Sequence, residues 1–262
     1  MTYKDALERE ELRDVIDLSL WAGQLLLQHG AEAERVEETV HRLGTALGCD
    51  WLDVLVSPNA IIATTSSGPE FRTKVRRVVG MRVDMTVVSA VNRLSRRVES
   101  GELNRFQARA ELVRISSMPP HYNRWLTVGL VGLACASFSR LFGGDWAVFA
   151  VTFAASATAM FVRQELARRH VNQLLTVIAT AFAAGLIASS AAVFRWSETP
   201  QTALSAAVLL LVPGVPLINA AEDMIKGHMV VGLVRGATGV LVSLAIALGL
   251  LLAMTLAGVR GL

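Results

Sequence analysis

Apolar residues recur at helical spacing in the first part of the chain, then close up into near-continuous runs after residue 124. Between residues 11 and 29 they fall at Leu12, Val15, Ile16, Leu18, Leu20, Leu25 and Leu26, one face of a helix, and Gly30 supplies a stop. A second helix is predicted over 31–47, with Val36, Val40, Leu43 and Leu47 on one side and Glu32 and Glu34 at its positive end. Residues 51–56, 60–65 and 71–79 read as strands separated by turns at Pro58-Asn59 and Ser66 to Pro69. Two further helices are predicted over 84–98 and 104–116, and Pro119-Pro120 reads as a stiff linker. The expected domain boundaries are therefore 1–120, an α+β domain large enough for its own core, and 121–262, a transmembrane domain.

Five apolar runs near bilayer length follow, at 125–142, 146–162, 174–194, 202–221 and 236–259. Small residues crowd several of them, including Gly129, Gly132, Gly185 and Gly232-x-x-x-Gly236, as close helix packing requires. The fourth run is interrupted by Pro213-Gly214-Val215-Pro216. Proline lacks an amide hydrogen and clashes with the preceding turn, so the helix is expected to break from Pro213 to Pro216. A broken backbone at membrane depth is tolerated only inside protein or beside a cavity. The half-helix after Pro216 would present free amides and a positive dipole end to an anion near the bilayer midplane. Many secondary transporters build substrate sites this way. Asn219 and Asp223, four apart, share a face of that half-helix. The plainer alternative is a kinked structural helix.

Charge adds orientation. Up to Arg124 there are 17 Lys+Arg and 17 Asp+Glu; from Trp125 onward there are 8 and 5. Arg163, Arg168, Arg169, Lys226 and Arg235 lie on one side of the runs, against Arg140, Arg195 and Arg260 on the other. With Arg124 this places the amino terminus in the cytoplasm and, after five spans, the carboxyl terminus outside. The charged first 20 residues argue against a cleavable signal peptide. Overall, 53% hydrophobic residues and a mean hydropathy of +0.46 suit an α-helical integral membrane protein of about five transmembrane helices with an amino-terminal cytoplasmic α+β domain. No basic block with interleaved aromatics points to nucleic acid. Cys49 and Cys135 form no metal-ligand spacing, and no phosphate loop appears, so no metal or cofactor is expected.

Several polar residues carry candidate chemistry. Arg163 and Arg235, at the inner ends of their runs, either clamp a substrate carboxylate or anchor the helices on the positive side. Glu222 and Asp223 are candidates for proton coupling or gating; otherwise they are interfacial acids paired with Lys226 or Arg235. His228 titrates near neutral pH or is polar surface. In the soluble part, Glu34, Arg35, Glu37 and Glu38 crowd one helix, either for acid/base work or as a solvated face. Ser57, Asn59, Thr64 and Thr65 have no placed histidine-acid partner, so no catalytic residue is assigned.

Three ordered segments resemble the threonine/serine exporter family. They are Gly30-Ala31-Glu32-Ala33-Glu34-Arg35-Val36-Glu37, Val91-Asn92-Arg93-Leu94-Ser95-Arg96, and Leu211 through Ala220 with Gly227-His228. Within them Gly30, Arg35, Glu37, Asn92 and Arg96 form the soluble-domain motif. One-chain members of the family carry about ten spans, so the resemblance implies the larger subunit of a split, two-component branch. It implies a small hydrophobic partner subunit completing the transporter. It also implies export of dicarboxylates such as succinate, or of threonine/serine-like amino acids, across a bacterial inner membrane. Membrane lipid and a homo-oligomer are further expected partners. Pro213, Gly214, Pro216, Asn219, Arg163 and Arg235 are then expected at the substrate, and Glu222, Asp223 and His228 at coupling or gating. The competing readings are a membrane-anchored hydrolase with a catalytic soluble domain, and a regulatory membrane scaffold.

Overall fold

A computed structural model describes residues 6–118 and 122–259. The expected Pro119-Pro120 linker, Arg260 and the carboxyl-terminal Leu262 lie outside the described residues. The chain divides into two compact units, Met1–Pro119 with Gly214–Ala237, and Pro120–Pro213 with Thr238–Leu262. The first therefore takes in a segment from the membrane-type half of the sequence.

In the first unit, α1 (Arg9–Gln28) opens with a capping box between Glu8 and Glu11 and ends ahead of Gly30, whose φ of 91° suits glycine. Helix α2 (Ala33–Ala46) follows, then an antiparallel meander of β1 (Trp51–Ser57), β2 (Ala60–Ser67) and β3 (Glu70–Arg77), in the order β1-β2-β3. The register pairs Val54 with Ala63 and Ala63 with Lys74. Asp84 and Asn104 cap α3 (Met85–Glu99) and α4 (Arg105–Ser116) through their side chains. All seven elements match the predicted order, with ends shifted by a few residues as expected for pattern reading. The core is large and aliphatic: Ile16, Leu20, Leu26, Val36, Leu43, Ile61, Val91 and Leu112 are buried together. The same core takes in Val231, from far along the sequence.

The second unit inverts this distribution. It contains α5 (Arg124–Leu141), α6 (Trp146–Arg168), α7 (Gln173–Val193), α8 (Pro200–Ala207) and a 3-10 turn at Leu209–Leu211. It also holds the part of α10 (Met229–Leu256) from Thr238 onward. Its interior is built from Ala155, Ala159, Ala184, Ala188, Ala203 and Ala207, while Leu241, Leu244, Leu248, Leu251 and Leu252 stand exposed. Small residues inside and large aliphatics outside are what helices packed in lipid require. A Cβ on Gly249 would lie 2.5 Å from the Ile178 carbonyl, so the two backbones touch there.

Among the described residues three helices are long and apolar enough to cross a bilayer: Trp146–Arg168, Gln173–Val193 and Met229–Leu256. There are four if the bent pair Pro200–Leu211 and Gly214–Ile225 is one span. The protein is thus mostly helical, with three or four such segments and a small three-stranded sheet. Of the five expected, 125–142 forms as the 18-residue α5 but is not among these; Arg124, Arg140 and several small polar residues dilute its apolar content.

The fourth run departs from expectation in detail. The helix gives way at Val208 to the 3-10 turn, Val212 is extended (φ −58°, ψ 124°), and α9 (Gly214–Ile225) begins immediately after Pro213. Pro216 therefore sits in the first turn of α9 and does not break it: amides there have no intrahelical acceptor to lose. The last run starts seven residues earlier than expected, at Met229 rather than 236. Gly227 (φ 90°) makes the turn between α9 and α10. A Cβ on Gly232 would lie 2.7 Å from the Ala220 carbonyl, so α9 and the start of α10 pack backbone to backbone.

Candidate functional site

Within the first unit, α9 and the first turns of α10 grip the turn between α1 and α2. Asn219 Nδ2 donates to the Gly30 carbonyl at 2.7 Å. Asp223 Oδ1 accepts from the Ala33 amide at 2.8 Å, and its Oδ2 accepts from Arg235 Nη1 at 2.7 Å. Arg235 Nη2 donates to the Ala31 carbonyl at 2.8 Å. Asp223 is 0% and Arg235 4% exposed. The sequence makes this arrangement locally simple. Asn219 and Asp223 lie one turn apart on α9, and Glu32, the residue ahead of α2, makes no side-chain cap. The Asp223 carboxylate takes over that duty from elsewhere, at the positive end of the helix dipole. Every polar atom named here has a partner, which a buried ion pair requires.

A more exposed ring of charge surrounds this clasp. Lys226 Nζ lies 2.6 Å from Glu34, 2.7 Å from Glu222 and 3.7 Å from Glu32, and Glu32 also pairs with Arg35 at 3.0 Å. The hydrogen bonds it donates to Glu222 and Glu34 raise the Lys226 ammonium above its ordinary value, so it stays charged. His228 Nδ1 lies 3.6 Å from Glu37 Oε1, which also accepts from the Val56 amide at 3.4 Å. Burial pushes the Glu37 carboxyl above its ordinary range; Asp53 and Glu34 add to this, and His228 and the Val56 amide oppose it.

The clasp therefore gathers Gly30, Arg35, Glu37, Asn219, Glu222, Asp223, His228 and Arg235 of the candidate residues. Asn92 and Arg96 stand apart on α3, half-buried and exposed respectively. Ser95 between them donates to the Asn92 carbonyl and accepts from Arg42. In the second unit Arg163 Nη1 donates to the Leu210 carbonyl at 3.3 Å, one of the oxygens left free where the helix gives way. Pro213 ends the first of that unit's two segments, and Gly214 and Pro216 open α9. The participants missed by sequence reasoning are main-chain groups, the Gly30 and Ala31 carbonyls and the Ala33 amide. No side-chain pattern marks them.

Glu37 yields a pH prediction. A raised carboxyl pKa means that the folded unit holds the proton more tightly than the unfolded chain. Its stabilising contribution is full below the ordinary carboxylate value and is lost as pH rises through the raised one. Glu37→Gln cannot ionise and is expected to flatten the pH dependence of thermal unfolding across that interval. An unchanged profile would assign the dependence to another group.

A family model described as "Putative threonine/serine exporter" matches residues 17–257. A "Probable succinate transporter subunit YjjP" from Escherichia coli strain K12 is 41% identical over 257 residues, covering 97% of this chain and 99% of that protein. Its namesake from Klebsiella aerogenes is 42% identical, covering 97% and 98%. A "Threonine/serine exporter" from Corynebacterium glutamicum is 24% identical over 240 residues, 88% of this chain but only 49% of that protein. No solved structure matches the chain. These relatives are named as transporters and exporters, and the protein is a transport protein and not an enzyme. With the match running over residues 17–257, the chain belongs to the threonine/serine exporter family.

Proposed function

We propose that the chain is one subunit of a secondary transporter exporting small carboxylates across the cytoplasmic membrane. The cargo is a dicarboxylate such as succinate, with threonine- or serine-like amino acids as the second choice. The observation that carries this reading is the near-complete match to relatives named as succinate transporter subunits, set beside coverage of 49% of a relative named as a threonine/serine exporter. The word subunit in those relatives' names supports a small hydrophobic partner that completes the path. In this reading the cargo site is the broken helix in the second unit, with Arg163 as its cation; the Arg163 bond to the Leu210 carbonyl, within the Leu209–Leu211 turn, supports it. Asn219, Asp223 and Arg235 act as the clasp and not as direct ligands, because their polar atoms are taken up by the α1–α2 turn. Glu222 and His228 tune that clasp. The amino-terminal domain, expected over residues 1–120, lies in the cytoplasm, in keeping with the arginine bias of the runs.

The test is succinate release from cells or proteoliposomes. Export is expected only when this chain is co-expressed with a short hydrophobic protein encoded beside it. Robust export by the purified chain alone would refute dependence on a partner. Release of threonine but not succinate by the pair would move the cargo to the second choice.

A further inference from the structure

The soluble part of the first unit carries an open cleft of about 370 Å³ lined by Asp17, Leu18, Trp21, Lys74, Arg76 and Arg109. That volume is within the range of small-molecule sites. Its walls come from three separate elements, α1, β3 and α4, so the residues converge through the fold and not through sequence spacing. Lys74 is paired with Asp17 and Arg109 with Asp14. Arg76 is different. Its Nε donates to Gln24 Oε1 at 2.7 Å and its Nη1 lies 3.5 Å from the Asp17 carbonyl. Among the described residues it has no carboxylate within ion-pairing distance. Gln24 is itself held by donating to the Arg77 carbonyl at 3.2 Å, so the guanidinium is oriented before any ligand arrives. Burial depresses the Arg76 pKa, with Asp17 opposing, which marks a cation held partly out of water. Counting Asp14, three cations face two carboxylates, and one positive charge remains in excess.

We propose that this cleft binds a small organic oxyanion, with Arg76 gripping a carboxylate or phosphate group and Leu18 and Trp21 covering the carbon skeleton. A guanidinium fork suits either group, and a partly buried cation without a counter-ion gains most from acquiring one. The site lies wholly within the soluble elements of the first unit, away from Pro213 and Arg163 in sequence and in unit, and does not depend on the transport reading.

The experiment uses the full chain in detergent, titrated calorimetrically with sodium succinate and, separately, inorganic phosphate, each against sodium chloride. Saturable binding of at least one anion is expected. Succinate alone would identify a carboxylate ligand and phosphate alone a phosphorylated one. Arg76→Gln is expected to weaken binding by about tenfold or more, and Arg76→Lys by less, since it keeps charge but not the fork. Asp17→Asn removes a competing carboxylate and is expected to tighten binding severalfold, a gain that misfolding cannot imitate. Pro213→Ala should leave this binding unchanged. Three results would overturn the proposal: no saturable uptake beyond chloride up to about 10 mM, wild-type affinity in both Arg76→Gln and Asp17→Asn, or binding lost in Pro213→Ala, which would assign it to the cargo path.

Discussion

Asp223→Ala is expected to destabilise the first unit by about 3–5 kcal/mol, the usual consequence of removing one partner from a buried ion pair. Asp223 is fully buried, so truncation leaves the Arg235 guanidinium, 4% exposed, without its anion. It also leaves the Ala33 amide without an acceptor at the start of α2. A cation of that kind cannot reach water without parting α9 and α10 from the α1–α2 turn. Asp223→Asn keeps an acceptor for Ala33 and should cost less. The double variant Asp223→Leu with Arg235→Met removes both charges and should cost less than the sum of the single changes, because neither charge is then left alone. Lys226→Gln, in the exposed ring around the same turn, should cost no more than about 1 kcal/mol. Thermal unfolding of the full chain, read alongside its abundance in membranes, decides the matter. Unfolding of Asp223→Ala at the wild-type temperature would show that the clasp contributes nothing to stability.

Pro213→Ala is expected to reduce export on the order of tenfold at matched membrane abundance, equivalent to ~1.4 kcal/mol at the rate-limiting step. Pro213 holds Val212 extended, because a residue before proline is excluded from the helical region. Alanine lifts that exclusion and supplies an amide, so the Leu209–Leu211 turn can run on into α9. Carbonyls now free, including the one at Leu210 that Arg163 reaches, would then pair within the helix. Pro216→Ala provides the internal control. Pro216 already lies in the first turn of α9, where a missing amide disrupts nothing, so its export should remain within about twofold of wild type. Equal loss in both variants, or none in either, would dissociate the break at Pro213 from transport.

How far these features were legible in the sequence follows from the range of the interactions that produce them. Periodicity and turn chemistry act over a few residues. They determined the helix–helix–sheet–helix–helix order of the amino-terminal part, the apolar helices after residue 124, and the existence of a break near Pro213. Ordered motifs were enough to indicate the family. The position of the break was only half legible. Both prolines read alike in sequence, and their effects separate only once Gly214 is seen to start a helix that places Pro216 among amides with no acceptor. The pairing of Asn219, Asp223 and Arg235 with the α1–α2 turn was not legible at all. Those partners are main-chain groups of Gly30, Ala31 and Ala33, 189 to 204 residues away. A carbonyl or an amide is the same in every residue, so only the tertiary structure can select which of them a side chain meets. Arg76 is the same case. Its charge was visible in the sequence, but its lack of a carboxylate partner among the described residues depends on where α1, β3 and α4 bring Asp14 and Asp17, and packing alone decided that.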